Sequence, residues 1–371
     1  MVERFSGWKL VFPTMMMALL LGGACLLAGC PRKIHQPTLK GPEALMLLGA
    51  GATFPYPLYS KWFDAYKETA PGLSINYQSI GSGGGIKNLQ AKTVDFGASD
   101  APLSDADMKT MPAPVVQIPM VAGAVAIAYN LPKIQTGLKL SPDVLAGIFL
   151  GKITNWTDTS IKKLNPDLAL PNLAITVAHR SDGSGTTNIL TTYLAAVSPE
   201  WASKVGTGKA VNWPTGVGSK GNEGVAGTLK GAPGAIGYVE LAYAQQNTLS
   251  VASLRNASGA FVDPSVESTT AAADAALAKI TKDIRSPIVN SASAEAYPIC
   301  GFTYILLYKE QTDAVKGAAL VNFLYWAIND GQQYADALFY APLPPSVVTL
   351  DQGILSTVTN QGKPIHVATT P

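Results

Sequence analysis

Strand-forming and helix-forming apolar patterns alternate along this chain. Ala44 to Leu48 predicts a strand, and Pro57 to Thr69 a helix that turns Leu58, Trp62, Phe63 and Tyr66 to one face. Leu73 to Ile80 predicts a second strand, Ile86 to Lys92 a short helix, and Val94 to Gly97 a third strand. Val115 to Tyr129 is apolar but interrupted by Pro119 and Gly123, which suits a buried strand pair or one strand crossing between domains. Ser141-Pro142 starts a helix that Gly151 stops. Beyond it, Leu173 to Ala178 predicts a strand, Thr187 to Val197 a helix, and Ser198-Pro199-Glu200 another helix start. Ala235 to Tyr243 is apolar, Ser268 to Arg285 an alanine-rich helix, Ile299 to Tyr308 a strand, and Thr312 to Asp330 a long helix. No solenoid-period repeat is present, and the alternation is that of an α/β protein.

Three junctions repeat one arrangement, an apolar run, a turn of Gly, Ser and Thr, and a helix start. They are Gly49-Ala50-Gly51-Ala52-Thr53-Phe54, Gly81-Ser82-Gly83-Gly84-Gly85 and Arg180-Ser181-Asp182-Gly183-Ser184-Gly185-Thr186-Thr187. A helix start offers unpaired N–H groups and partial positive charge, so three such turns suggest a cage for a small oxyanion.

The first 29 residues read as an export signal. Arg4 and Lys9 precede an apolar run from Leu10 to Leu27, and Leu27-Ala28-Gly29-Cys30 resembles the lipobox of bacterial lipoproteins. That resemblance implies lipidation at Cys30, loss of Cys25 with the signal, and residues 30–44 as a lipidated tether rich in Pro and Gly. The competing reading, a retained membrane helix, is weakened by Pro13 and Gly22-Gly23 within the run. Only Cys30 and Cys300 would remain, so no internal disulfide is expected. The remaining chain of roughly 340 residues suggests two domains. Taking Arg4 and Lys9 from the 27 basic residues, and Glu3 from the 25 acidic, leaves a formal charge near +1. With 14% of residues charged and no Lys/Arg cluster, nucleic acid is not an expected partner, and anion selectivity must come from local geometry.

Six motifs together resemble the phosphate-binding protein family of the high-affinity phosphate ABC transporter. They are Gly-Ala-Gly-Ala-Thr-Phe-Pro at 49–55, Ile-Gly-Ser-Gly-Gly-Gly at 80–85, Val-Asp-Phe-Gly-Ala-Ser-Asp-Ala-Pro-Leu-Ser at 94–104, Gly-Lys-Ile-Thr-Asn-Trp at 151–156, Arg-Ser-Asp-Gly-Ser-Gly-Thr at 180–186 and Pro-Gly-Ala-Ile-Gly-Tyr-Val-Glu at 233–240. The resemblance runs in unbroken order from about 48 to about 348. It implies a periplasmic-binding-protein fold of two α/β lobes joined by a hinge, with 45–121 and 296–371 as lobe I and 122–295 as lobe II. It further implies a monomeric receptor in the cell envelope that hands inorganic phosphate to a permease in the cytoplasmic membrane, with no cofactor. The ligands implied are Thr53, Phe54, Ser82 and Asp100 from one lobe and Arg180, Ser184, Gly185 and Thr186 from the other, with Asp182 orienting Arg180. This chain departs from the commonest family pattern at Gly83, where Ser is frequent, and at His179, where Arg is frequent.

Asp100 carries the selectivity argument. Alone, Asp100-Ala101-Pro102 is an ordinary turn or helix cap. Within the family motif, a carboxylate beside a phosphate dianion makes sense as the acceptor for the proton that phosphate carries. Sulfate lacks that proton near neutral pH, and a buried site can reject such an analogue by roughly 10⁴–10⁵. Arsenate, also protonated, remains an alternative ligand; sulfate and molybdate are weaker ones. An envelope phosphatase is the alternative of a different class. A serine hydrolase would need a base near Ser82 or Ser184, and the three histidines are His35 in the tether, His179 at a strand end and His366 in the tail. Ser184 lacks the Gly-x-Ser-x-Gly elbow because position 182 is Asp. No metal-ligand spacing or nucleotide loop is present, so catalysis and metal binding are not expected.

Overall fold

A computed structural model describes residues 45–367. The signal, Cys30 and the tether lie outside the described residues.

The first βαβ unit follows the predicted order. Strand β1 (Leu45–Gly51) leads through Thr53 into helix α1 (Tyr56–Thr69), which buries Leu58, Tyr59, Trp62 and Tyr66 and leaves Phe63 half-buried. Strand β2 (Leu73–Ser79) pairs parallel with β1, and helix α2 spans Ser82–Gln90. The predicted start of α2 at Ile86 is corrected by one turn, because the glycines themselves are helical. Their lack of side chains is what lets α2 approach the sheet: a Cβ on Gly85 would sit 2.6 Å from the Ala50 carbonyl and 2.7 Å from that of Ala98. Strand β3 (Phe96–Ser99) lies parallel to β1 on its other side.

The apolar run 115–129 is a single strand, β4 (Val115–Tyr129). Its irregular residues have places. Pro119 falls at a register shift opposite Thr303 and Tyr304, where a residue without an N–H is tolerated. Gly123 makes room for the Phe54 ring, since a Cβ there would lie 2.6 Å from the ring edge.

The second half of the chain supplies strands β5 (Thr176–Arg180), β6 (Val217–Ser219), β7 (Ala235–Glu240) and β8 (Cys300–Tyr308). Along the main sheet the order is β2-β1-β3-β8-β4-β7-β5-β6. Residues 115–124 of β4 pair with β8, and residues 125–129 pair with β7. One strand therefore belongs to both halves of the sheet. Several segments begin or end differently from expectation: β3 lies two residues later, β5 starts three residues later, the helix expected from Thr187 starts at Gly185, and the alanine-rich helix spans Val266–Ile280.

β1, β2 and β3 run parallel, as do β5, β6 and β7. Their carboxyl ends carry the three turns, the usual place for ligands in such sheets.

Candidate functional site

Each predicted ligand sits where a strand hands over to a turn or helix. Thr53 and Phe54 follow β1. Their carbonyls are tied down by two buried phenols, Tyr243 Oη donating to Thr53 O at 2.6 Å and Tyr340 Oη to Phe54 O at 2.6 Å. Ser82 opens α2 after Gly81, whose φ of +87° is a left-handed conformation that favours glycine. Space demands glycine there too, because a Cβ on Gly81 would lie 2.2 Å from Asp182 Oδ2. Asp100 follows β3. Its Oδ1 accepts from Thr303 Oγ1 at 2.9 Å, while Ser82 Oγ reaches Oδ2 only at 3.5 Å.

The opposite wall begins with Arg180, the last residue of β5. Its Nε and Nη2 donate to the two oxygens of Asp182 at 2.7 and 2.5 Å, and Nη1 reaches Thr186 Oγ1 at 3.4 Å. Asp182 thus occupies the side edge of the guanidinium and leaves the Nη1/Nη2 end for an anion. Asp182 is itself held by the Gly221 N–H at 3.1 Å. Burial works against both charges. The bonds to Asp182 outweigh it and hold Arg180 above its ordinary pKa, and those from Arg180 hold Asp182 below its own. Ser184 caps helix α3 (Gly185–Val197), its Oγ accepting from Thr187 N–H at 3.0 Å. Gly185 and Thr186 are the first residues of that helix.

These residues form one connected, water-excluded group. Thr53, Ser82, Asp100, Arg180, Ser184 and Thr186 are each at most 3% exposed, which matters because charge-assisted bonds are strongest away from water. Gly185 N–H donates across the cleft to Ser82 Oγ at 3.0 Å, and Gly83 N–H to Gly183 O at 2.8 Å. The small residue at Gly83 permits this approach, since a Cβ there would meet Gly183 Cα at 3.1 Å. Farther out, Lys209 Nζ pairs with Asp107 at 3.4 Å. The two halves of the sheet are closed on each other.

Burial dominates the acidity of Asp100. Loss of solvent pushes its pKa up to about 7, while the bond from Thr303 and the charge of Arg180 pull the other way. The carboxyl is therefore poised to share a proton with an anion beside it.

Sequence reasoning passed over two contributors. Asn222 is buried and donates from Nδ2 to Thr53 Oγ1 at 2.7 Å. The signal for it was present, since Val217-Gly218-Ser219-Lys220-Gly221-Asn222 is a fourth strand-turn-helix junction, leading into helix α4 (Gly221–Gly231). Thr303 lies beside the register shift in the apolar strand β8, and its Oγ1 donates to Asp100 Oδ1. His179 stacks on Trp213 with centroids 4.8 Å apart, and its Nδ1 lies 3.1 Å from Arg180 O. Burial lowers its pKa. Cys300 is buried and free, and among the described residues no group of acidic, His or Cys side chains is placed to hold a metal. Also among the described residues, no helix is long and apolar enough to cross a membrane.

A closed cleft between two α/β halves, lined by helix starts, hydroxyls and one ion-paired arginine, defines a binding protein of the periplasmic-binding-protein class. Residues 36–330 match the family model described as a PBP superfamily domain. The phosphate-binding protein PstS of Xylella fastidiosa strain 9a5c is 47% identical over 313 residues, 84% of this chain and 85% of that protein. PstS of Haemophilus influenzae is also 47% identical, over 84% of this chain and 93% of that protein. Among solved structures, the phosphate-binding protein from Stenotrophomonas maltophilia superposes with a TM-score of 0.62 at 23% identity, covering 86% of this chain and 97% of that one. The chain belongs to the PBP superfamily and, within it, to the PstS family of phosphate-binding proteins.

Proposed function

We infer that this protein is a high-affinity receptor for inorganic phosphate that delivers it to an ABC import permease, and that it acts by binding rather than catalysis. The observation that carries the reading is the buried group itself, several N–H and O–H donors and one arginine, already paired with Asp182, arranged around the Asp100 carboxylate. That composition fits a tetrahedral oxyanion that brings one proton. Thr53, Phe54, Ser82 and Asp100 hold it from one side, and Arg180, Ser184, Gly185 and Thr186 from the other. Asp182 positions Arg180. Titration of ligand-stripped protein with phosphate, arsenate and sulfate tests this directly; tight binding of phosphate with sulfate far weaker is expected, and equal affinities overturn it. Turnover of a phosphomonoester would favour the phosphatase reading instead.

Lobe I is assigned to 45–121 and 296–371, and lobe II to 122–295. The pairing of β4 with both β8 and β7 supports crossings near Val121 and Ala296. Ligands contributed from both sides can be satisfied together only when the lobes meet, so phosphate should select the closed form. Small-angle scattering should give a smaller radius of gyration with saturating phosphate than without, together with a higher melting temperature. Identical curves count against a hinged receptor.

The anchor rests on Leu27-Ala28-Gly29-Cys30 and the tether behind it. We assign lipidation to Cys30 and place the mature protein in the bacterial envelope as a lipid-anchored monomer. Cys30→Ala should shift it from the membrane to the soluble envelope fraction or leave an unprocessed precursor. Unchanged fractionation rules the anchor out.

A further inference from the structure

Asn222 does more than fill space beside the cleft. Its Oδ1 accepts the backbone N–H of Glu240 at 2.9 Å, and a backbone N–H has only a donor to offer. That contact fixes the amide, so Nδ2 and its two protons face the cleft. There Nδ2 donates to Thr53 Oγ1 at 2.7 Å and reaches Thr186 Oγ1 at 3.4 Å. Thr53 Oγ1 also receives the backbone N–H of Asn222 at 3.2 Å, and Thr186 Oγ1 also receives Arg180 Nη1. Each hydroxyl oxygen thus faces two N–H donors. Among the described residues neither donates to a protein acceptor.

A hydroxyl has two acceptor lone pairs and one proton. With N–H groups on the acceptor side, the proton is left to point at whatever occupies the cleft. We infer that Asn222 is a positioning residue that fixes the hydroxyl polarity of the anion site, holding Thr53 and Thr186 as obligate donors. Thr53 and Asn222 stand on opposite sides of the cleft, so for Thr53 this polarity is imposed only on closure. A protonated oxygen of the anion finds no acceptor at either threonine, which directs it toward Asp100. The inference deepens the phosphate reading and rests on Thr53 and Thr186 facing the bound anion.

A double-mutant cycle with inorganic phosphate, read by calorimetry, tests it. Thr53→Val alone should weaken binding several-fold; an unchanged affinity removes Thr53 from the site, and the inference falls with it. Asn222→Ala should weaken binding about tenfold in the parent and at least threefold less in the Thr53→Val background, because the nearer of the two hydroxyls it acts through is gone. Equal losses in both backgrounds make Asn222 a packing residue and overturn the inference. Asn222→Ser serves if the alanine variant does not fold. In the unmutated protein, the Asn222 side-chain amide protons should exchange slowly with water when phosphate is bound; fast exchange overturns the inference independently of any variant.

Discussion

Arg180→Ala should weaken phosphate binding on the order of a hundredfold, from the loss of one or two charge-assisted hydrogen bonds worth about 1.5–3 kcal/mol each. A second effect adds to the first. Asp182, now paired to Arg180 at 2.5 Å, would be left as a largely buried carboxylate facing the anion, and an uncompensated buried charge is costly. Lysine should restore only part of the loss, since an ammonium cannot hold Asp182 along one edge and present a planar pair of N–H groups along the other. The double variant Arg180→Ala, Asp182→Ala should bind better than Arg180→Ala alone, because the repulsive group is removed with its partner. Calorimetry on the three variants measures this; an affinity for Arg180→Ala equal to the parent's takes the guanidinium out of the site.

Asp100→Asn should change the phosphate-to-sulfate ratio by more than any other substitution in the cleft. The amide keeps an acceptor for phosphate's proton and, turned over, offers a donor to sulfate. Phosphate affinity should move modestly while sulfate binding becomes measurable. If competition gives one ratio for parent and variant, discrimination lies elsewhere. The same residue sets a pH signature in the closed, ligand-free protein. Burial raises its pKa to about 7 against roughly 3.9 for an unfolded aspartate, so between those values the folded state holds a proton the unfolded chain has released. This contribution to stability is complete below pH ~4 and is lost as pH rises through about 7. Asp100→Asn should therefore gain in melting temperature over the parent across that window and hold the gain above it.

The parts of this protein that short stretches of chain control were legible from the sequence alone. A turn such as Gly81-Ser82-Gly83-Gly84-Gly85 declares a helix start because backbone conformation and capping are decided within a few residues. The α/β order, the three turns and the pairing of Arg180 with Asp182 two residues away all lie at that range. Even there, local propensity misplaced boundaries, the start of α2 among them. The glycines of α2 discourage helix in isolation, and the close packing that a side-chain-free helix start allows, Gly85 on the Ala50 and Ala98 carbonyls and Gly83 on Gly183, makes it favourable.

What tertiary structure decided is which distant groups meet. Asn222 lies 169 residues from the Thr53 it holds, and Thr303 lies 203 from Asp100. No local pattern encodes those contacts, because they depend on β4 serving both halves of the sheet and on the pairing of β8 alongside it. The sequence determined that hydroxyls, amides and one cation were available to an anion. Closure of the fold decided the direction in which each hydroxyl donates and how far the proton of Asp100 is held, because a hydrogen bond's polarity and a carboxyl's acidity are set by the partners and solvent that surround them.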